Sequence, residues 1–175
     1  MLPLIPPPRP SVGCTDTRIA LQRCVSSLRE ELQGALPSLP QLEPFHTELA
    51  YLYYGEGGFY AKHMDVPASH GGWSRMGRRA EDGGSPSRSA LRREVSMLLY
   101  LDHGWRPEWG GALRIYPEAE AGREVDGDEA HVDIYPEGGT LVLMRSDSVP
   151  HEVLPTRRPR RCLVGWMRTM RCQIY

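Results

Sequence analysis

From Phe45 onward the chain is a succession of short runs rich in Val, Ile, Leu, Tyr and Thr, each cut off within a few residues by glycine or proline. Branched and aromatic side chains suit a pleated, half-buried surface, and glycine supplies the backbone conformations that turns between strands require. The pattern predicts strands near residues 46–54, 58–64, 93–102, 111–116, 131–135, 139–145, 150–155 and 160–169. Turns fall at Gly57-Gly58, Gly110-Gly111 and Gly138-Gly139. Such a series defines a mainly β chain and argues for an antiparallel sandwich or barrel of the jelly-roll kind.

Upstream the periodicity changes. Leu21, Val25, Leu28 and Leu32 recur at helical spacing, Thr15 or Asp16 can cap the start, and Gly34 with Pro37 stops the run. One apolar stripe on a lone helix implies an N-terminal supporting helix packed on a sheet. Residues 1–13, with Pro3, Pro6, Pro7, Pro8 and Pro10, fit a flexible polyproline-II tail. No internal repeat or second domain is visible, so residues 14–175 are expected to form a single domain. One long loop is expected at 66–92, where Gly71, Gly72, Gly77, Gly83, Gly84, Pro67 and Pro86 alternate with arginines and serines. It is too polar to bury and too long for a hairpin turn, and reads either as a mobile lid beside a site or as a disordered insertion.

Composition narrows the function classes. The formal net charge over 175 residues is −1, which provides no global field for nucleic acid or an anionic membrane. No basic-aromatic platform suggests single-stranded nucleic acid, and no apolar run approaches the ~18 residues of a membrane span. The prolines interrupt the charged-then-apolar layout of a signal peptide. Cys14, Cys24, Cys162 and Cys172 form neither a CxxC pair nor a dense framework. They read as free thiols in a reducing compartment, cytoplasmic or nuclear.

The chemistry-bearing pattern is His63-Met64-Asp65. On a strand, residues two apart share a face, and an imidazole with a carboxylate, completed by a distant histidine, forms a facial triad that leaves metal positions open. The pattern occurs twice, however, because His131-Val132-Asp133 repeats it. Asp133 lies only 18 residues before His151, a separation that would set all three ligands on adjacent strands. His63 and Asp65 are separated from His151 by several strands, so a rolled sheet can fold back and close a triad of His63, Asp65 and His151. His46 and His103 are expected to border strands, and His70 to lie in the loop.

Nine residues beyond His151, Arg160 opens the run Arg160-Arg161-Cys162-Leu163-Val164-Gly165-Trp166. Alternation puts Arg160, Cys162, Val164 and Trp166 on one face, whose small and apolar members suit an interior. A guanidinium there is costly unless it meets an anion, and its two-pronged geometry matches a carboxylate. The distal carboxylate of 2-oxoglutarate is a natural partner. Arg157, Arg158 and Arg161 are expected to be solvated.

These residues resemble a known family. Tyr53-Tyr54-Gly55-Glu56-Gly57-Gly58-Phe59-Tyr60-Ala61-Lys62-His63-Met64-Asp65 is similar to the segment preceding the metal site of prolyl 4-hydroxylases, above all the hypoxia-inducible-factor prolyl hydroxylases and their microbial relatives. Trp109-Gly110-Gly111-Ala112-Leu113-Arg114-Ile115-Tyr116-Pro117 is similar to their Gly-Gly strand. Pro150-His151-Glu152-Val153-Leu154-Pro155, followed by Arg160 and Trp166, resembles their closing motif. The likeness covers roughly residues 46–168.

The resemblance implies a double-stranded β-helix in which His63, Asp65 and His151 hold Fe(II). It implies that Arg160 and Tyr100 bind 2-oxoglutarate, in a pocket lined also by Tyr53 and Leu98. Tyr60, Arg93 and Trp166 would border a proline-containing peptide or protein substrate. The implied reaction is a dioxygenase reaction: dioxygen and 2-oxoglutarate give succinate, carbon dioxide and a hydroxylated product, with ascorbate (vitamin C) restoring iron oxidised in unproductive turnovers. For the tyrosines, plain aromatic packing on a strand is the other reading. Two other functions stay open: an oxygenase acting on a free amino acid or other small molecule, and a non-catalytic metal-binding β-barrel, for instance holding zinc. Arg160 speaks against the second, since a metal-only site has no need of a cosubstrate anchor.

Overall fold

The computed structural model describes residues 14–45, 47–66, 74–75, 89–116 and 130–172. The proline-rich tail, His46, His70 and most of the 66–92 loop therefore lie outside the described residues. The chain divides into two compact units, Met1–Pro37 and Ser38–Tyr175.

The first unit holds α1 (Thr15–Ala35), which carries the predicted leucine stripe. Its N-cap is Cys14 in an extended conformation, without a side-chain capping hydrogen bond. Thr15 and Asp16 are already helical, so neither is the cap. Asp16 instead sets a negative charge in the first turn, where the backbone N–H groups point outward. Gly34 does not stop the helix. The last turn closes when the Leu36 N–H bonds the Leu32 carbonyl at 2.9 Å, one residue before Pro37, whose ring disfavours helix in its predecessor. Among the described residues no helix is long and apolar enough to cross a membrane.

In the second unit each of the eight predicted strands is present. They are β1 (Glu48–Tyr54), β2 (Tyr60–His63), β4 (Ser89–Tyr100), β5 (Leu113–Ile115), β6 (Val132–Ile134), β7 (Leu141–Arg145), β8 (His151–Val153) and β9 (Arg160–Cys172). Two features depart from expectation. A short β3 (Ser74–Arg75) and the first four residues of β4 fall inside the segment expected to be loop. Ser89 to Arg92 pair with Cys172 to Thr169 of β9, so long-range ladder bonds hold an extension whose polar composition hides it.

All strand pairings are antiparallel and fall into two sheets. The larger runs β1-β9-β4-β3, with β7 also on β4; the smaller runs β2-β8-β5-β6. Leu98, Tyr100, Val142, Cys162 and Val164 of the larger sheet meet Leu113 and Val153 of the smaller in one buried cluster. Full burial of side chains of this size stabilises by roughly 1.5–3 kcal/mol each. Among the described residues the chain is thus mainly β, with two facing antiparallel sheets and one α-helix.

The Gly110-Gly111 turn leads into β5. Gly110 has φ +67° and ψ −147°, a region only glycine occupies comfortably. Gly111 has φ +71°, and a Cβ there would lie 3.0 Å from Thr156 Oγ1 and 3.4 Å from Arg160 Cδ. Gly111→Ala is expected to destabilise the fold by about 1–2 kcal/mol through the left-handed backbone and roughly 1–3 kcal/mol more through crowding. Urea denaturation of the variant measures the sum, and an unchanged midpoint would contradict it.

Candidate metal centre

β2 and β8 are neighbours in the smaller sheet, and their register sets His63 directly across from His151. The two imidazole rings stand 4.4 Å apart. Strand β2 ends at His63, so Asp65 reaches the site from the bend that follows, not by strand alternation. Two contacts hold that bend: Arg93 Nη1 donates to the Asp65 carbonyl at 3.2 Å, and the Val66 N–H to the Ser146 carbonyl at 3.2 Å. Asp65 Oδ1 then lies 3.6 Å from His63 Nε2, and Oδ2 lies 3.8 Å from His151 Nε2. The three donor atoms fall within 4.8 Å of one another, forming a His-Asp-His cluster fit to hold a metal ion.

Each histidine is oriented by its other ring nitrogen. His63 Nδ1 is 2.8 Å from the Ala61 carbonyl, and His151 Nδ1 is 2.9 Å from the Val149 carbonyl. A carbonyl only accepts, so Nδ1 carries the proton and Nε2 presents its lone pair to the cluster, the tautomer a metal requires. Burial holds the His151 pKa below its ordinary 6.5, partly offset by the Val149 carbonyl and Asp65. Below pH 6.5 the unfolded chain therefore binds a proton that folded His151 resists. Metal-free protein is expected to lose stability as pH falls from 6.5 towards that lowered pKa, and His151→Asn to flatten this slope in melting curves.

The rival pair takes another role. Asp133 is held by Arg114 through two bonds of 2.8 Å, which keep its carboxyl below the usual range. Strand β5 also separates β6 from β8, so His131 and Asp133 are not on a strand adjacent to His151, contrary to expectation. A hairpin return was assumed, but the chain passes through β7 of the larger sheet before it returns as β8, two places from β6. Among the described residues the cluster that could hold a metal ion is His63, Asp65 and His151.

Beside this cluster opens a cavity of about 610 Å³. Leu52, Leu98, Leu113, Val153 and Val164 form its apolar wall, while Tyr60, Met64, Arg93 and Trp166 also line it. Arg93 stacks on Trp166, its guanidinium carbon 3.7 Å from the ring centre, and pairs with Glu48 at 2.7 Å. Tyr60, 52% exposed, lies edge-on to the His63 ring at 4.3 Å. Leu98, expected at the cosubstrate pocket, and Tyr60, Arg93 and Trp166, expected at the substrate border, all line this cavity.

Tyr53 does not line it. Strand β1 alternates, leaving Tyr53 60% exposed opposite solvent-facing Arg161 and turning Tyr54 inward opposite Arg160. Of these two neighbours it is Tyr54 that lines the cavity, together with Tyr60. Alternation with Leu52 was the signal that could have found it, as it found Arg160. Ser96, also unanticipated, shares an inward face with Leu98 and Tyr100 and bonds Asp65.

Arg160 is 0% exposed. Its guanidinium lies 5.0 Å from the Tyr54 ring centre and 5.1 Å from that of Tyr100, and Nη1 reaches Cys162 Sγ at 3.8 Å. Arg160 Nε, Arg160 Nη2 and the Tyr100 hydroxyl have no hydrogen-bond partner among the described residues. Burial pushes the Tyr100 pKa up to about 12, so its hydroxyl stays protonated and can donate. Burial likewise raises that of Tyr54. Unpaired buried donors are expensive, and a buried guanidinium beside a phenolic hydroxyl suits a carboxylate.

Two imidazoles and one carboxylate on a β-scaffold are the donor set of non-haem iron oxygenases. Comparison with known proteins agrees. The family profile described as the 2OG-Fe(II) oxygenase superfamily matches residues 49–168, and the chain belongs to that superfamily. Hypoxia-inducible factor prolyl hydroxylase of Caenorhabditis elegans is 29% identical over 117 residues, 66% of this chain and 12% of that protein. The chain thus spans about an eighth of that relative's length. Among solved structures, a Pseudomonas putida prolyl-4-hydroxylase matches with TM-score 0.64 and 28% identity, over 90% of this chain and 68% of the other. A prolyl hydroxylase from Trichoplax adhaerens, in complex with a hypoxia inducible factor oxygen degradation domain peptide fragment, matches with TM-score 0.58 and 26% identity, over 84% and 54%.

Proposed function

We propose that this chain is a Fe(II)- and 2-oxoglutarate-dependent dioxygenase that hydroxylates proline in a peptide or protein, on a double-stranded β-helix. The observation that carries the cosubstrate is the trio of buried donors on Arg160 and Tyr100, unpaired among the described residues, in a fold whose smaller sheet carries the His-Asp-His cluster. His63, Asp65 and His151 hold the iron. Arg160 and Tyr100 receive the distal carboxylate of 2-oxoglutarate, Tyr54 takes the place expected of Tyr53, and Leu98 forms the apolar wall.

Iron with bound 2-oxoglutarate supplies the oxidising power, consuming dioxygen and releasing succinate and carbon dioxide. The chain's residues supply the geometry. Backbone carbonyls fix both imidazoles, the Arg160 guanidinium would anchor the distal carboxylate of the cosubstrate, and the apolar wall would keep water from the reacting carbon. Tyr60, Arg93 and Trp166 line the cavity, where they can border a peptide. The proline hydroxylases among its relatives support that substrate class. Ascorbate serves as the reductant after unproductive turnovers. The free thiols of Cys14, Cys24 and Cys162 favour a reducing compartment, cytoplasm or nucleus.

The test is a mass-spectrometric screen of proline-containing peptides for the gain of one oxygen, run with succinate measurement in the presence of Fe(II). A hydroxylated proline is expected. Succinate formation stimulated only by free amino acids or other small molecules would move the substrate to that class. No iron-dependent succinate with any peptide or small molecule would leave a metal-binding barrel.

A further inference from the structure

The second oxygen of Asp65 has its own partner. Ser96 Oγ on β4 lies 2.5 Å from Asp65 Oδ2, and Ser146 Oγ, just beyond β7, lies 2.8 Å from Ser96 Oγ. Both serines are closed off from water, at 0% and 1% exposure. A hydroxyl has one proton, and an ionised carboxylate only accepts. The Ser96 proton must therefore point at Oδ2, and the Ser146 proton must close the contact between the serines. The direction runs from Ser146 to Ser96 to Asp65. It starts in the larger sheet and ends on a carboxylate that follows β2 of the smaller.

We propose that Ser96 and Ser146 are positioning residues that hold Asp65 to ligation through a single oxygen; this rests on the metal-centre reading above. Both carboxylate oxygens lie near the histidines, Oδ1 at 3.6 Å from His63 Nε2 and Oδ2 at 3.8 Å from His151 Nε2, and Ser96 engages Oδ2 alone, leaving Oδ1 for the metal. A carboxylate released from the serine could turn and offer both oxygens, filling a position that must stay open. A buried serine on the same inward face as Leu98 and Tyr100 is costly unless bonded, and Asp65 with Ser146 accounts for its presence there.

The test is a titration of metal-free protein with Co(II), followed by visible absorption, on wild type, Ser96→Ala, Ser146→Ala and the equal-shape pair Ser96→Thr and Ser96→Val. Wild type is expected to bind one Co(II). Ser96→Ala and Ser96→Val are expected to bind roughly 10–100-fold more weakly, with altered band positions, as for lost partners of metal ligands elsewhere. Ser96→Thr keeps affinity and spectrum close to wild type, and Ser146→Ala falls between. Thermal melts of the metal-free variants separate these effects from loss of fold. Wild-type affinity and spectrum in Ser96→Ala or Ser96→Val, or Ser96→Thr binding as weakly as Ser96→Val, overturns the positioning role while the metal centre stands. Failure of wild type to bind Co(II) overturns the metal centre itself.

Discussion

Replacing Arg160 with methionine is expected to raise the melting temperature of the protein alone while abolishing the stabilisation that 2-oxoglutarate confers. Without an anion, Arg160 is a fully buried cation with two unpaired nitrogens, flanked by the Tyr54 and Tyr100 rings. Cation–π attraction to such rings contributes roughly 0.5–2 kcal/mol. Taking an ion out of water costs several kcal/mol, so the attraction does not offset it. Methionine fills much of the same space without charge, and apolar replacement of buried charges is neutral or stabilising by about 1–4 kcal/mol. The cosubstrate reverses the comparison. At a hundredfold excess over its Kd it would stabilise wild type by ~2.7 kcal/mol. The variant, missing a buried charge partner, loses roughly 2–5 kcal/mol of affinity and shows almost no shift. Thermal melts with and without 2-oxoglutarate and metal measure both halves. A variant less stable alone, yet still stabilised by 2-oxoglutarate, would refute the role given to Arg160.

Asp65→Ala and His63→Ala are expected to lose bound iron and succinate formation together, whereas Asp133→Ala keeps both. Loss of a direct ligand should exceed the ~10–100-fold drop in metal affinity typical of losing a ligand's partner. Asp133 pairs with Arg114 on partly exposed side chains, so its removal costs about 1 kcal/mol or less of stability and nothing at the metal. Elemental analysis of the purified variants and a succinate assay decide the matter. Iron retained by Asp65→Ala but lost by Asp133→Ala would transfer the centre to the second His-x-Asp pair.

The two pairs are indistinguishable as short motifs, and the sequence separation that, with the flanking motifs, ranked them did so for a partly mistaken reason. The distance from Asp133 to His151 suggested adjacent strands, yet β5 lies between β6 and β8. What disqualifies Asp133 is Arg114, one strand over, because a carboxylate committed to a guanidinium is not available to a metal. Cross-strand register is a property of the folded sheet and has no local signature. Tyr53 illustrates the same limit at shorter range. The flanking motif favoured it, but the pleat of β1 turns it to solvent and admits Tyr54, because neighbours in a strand cannot both face one side.

Local chemistry was enough to reveal the strands, the inward face of Arg160 and the candidate ligands His63, Asp65 and His151. Period-two alternation and turn residues act over a few positions and survive in the linear chain. Tertiary structure alone decided that β2 and β8 lie side by side, that a bend returns Asp65 to the histidines, and that Ser96 and Ser146 reach across from the larger sheet. The serine contacts join residues 31 and 50 positions apart. They exist only once apolar burial has closed the two sheets on each other, which is why the ligands could be read from the sequence and their supports could not.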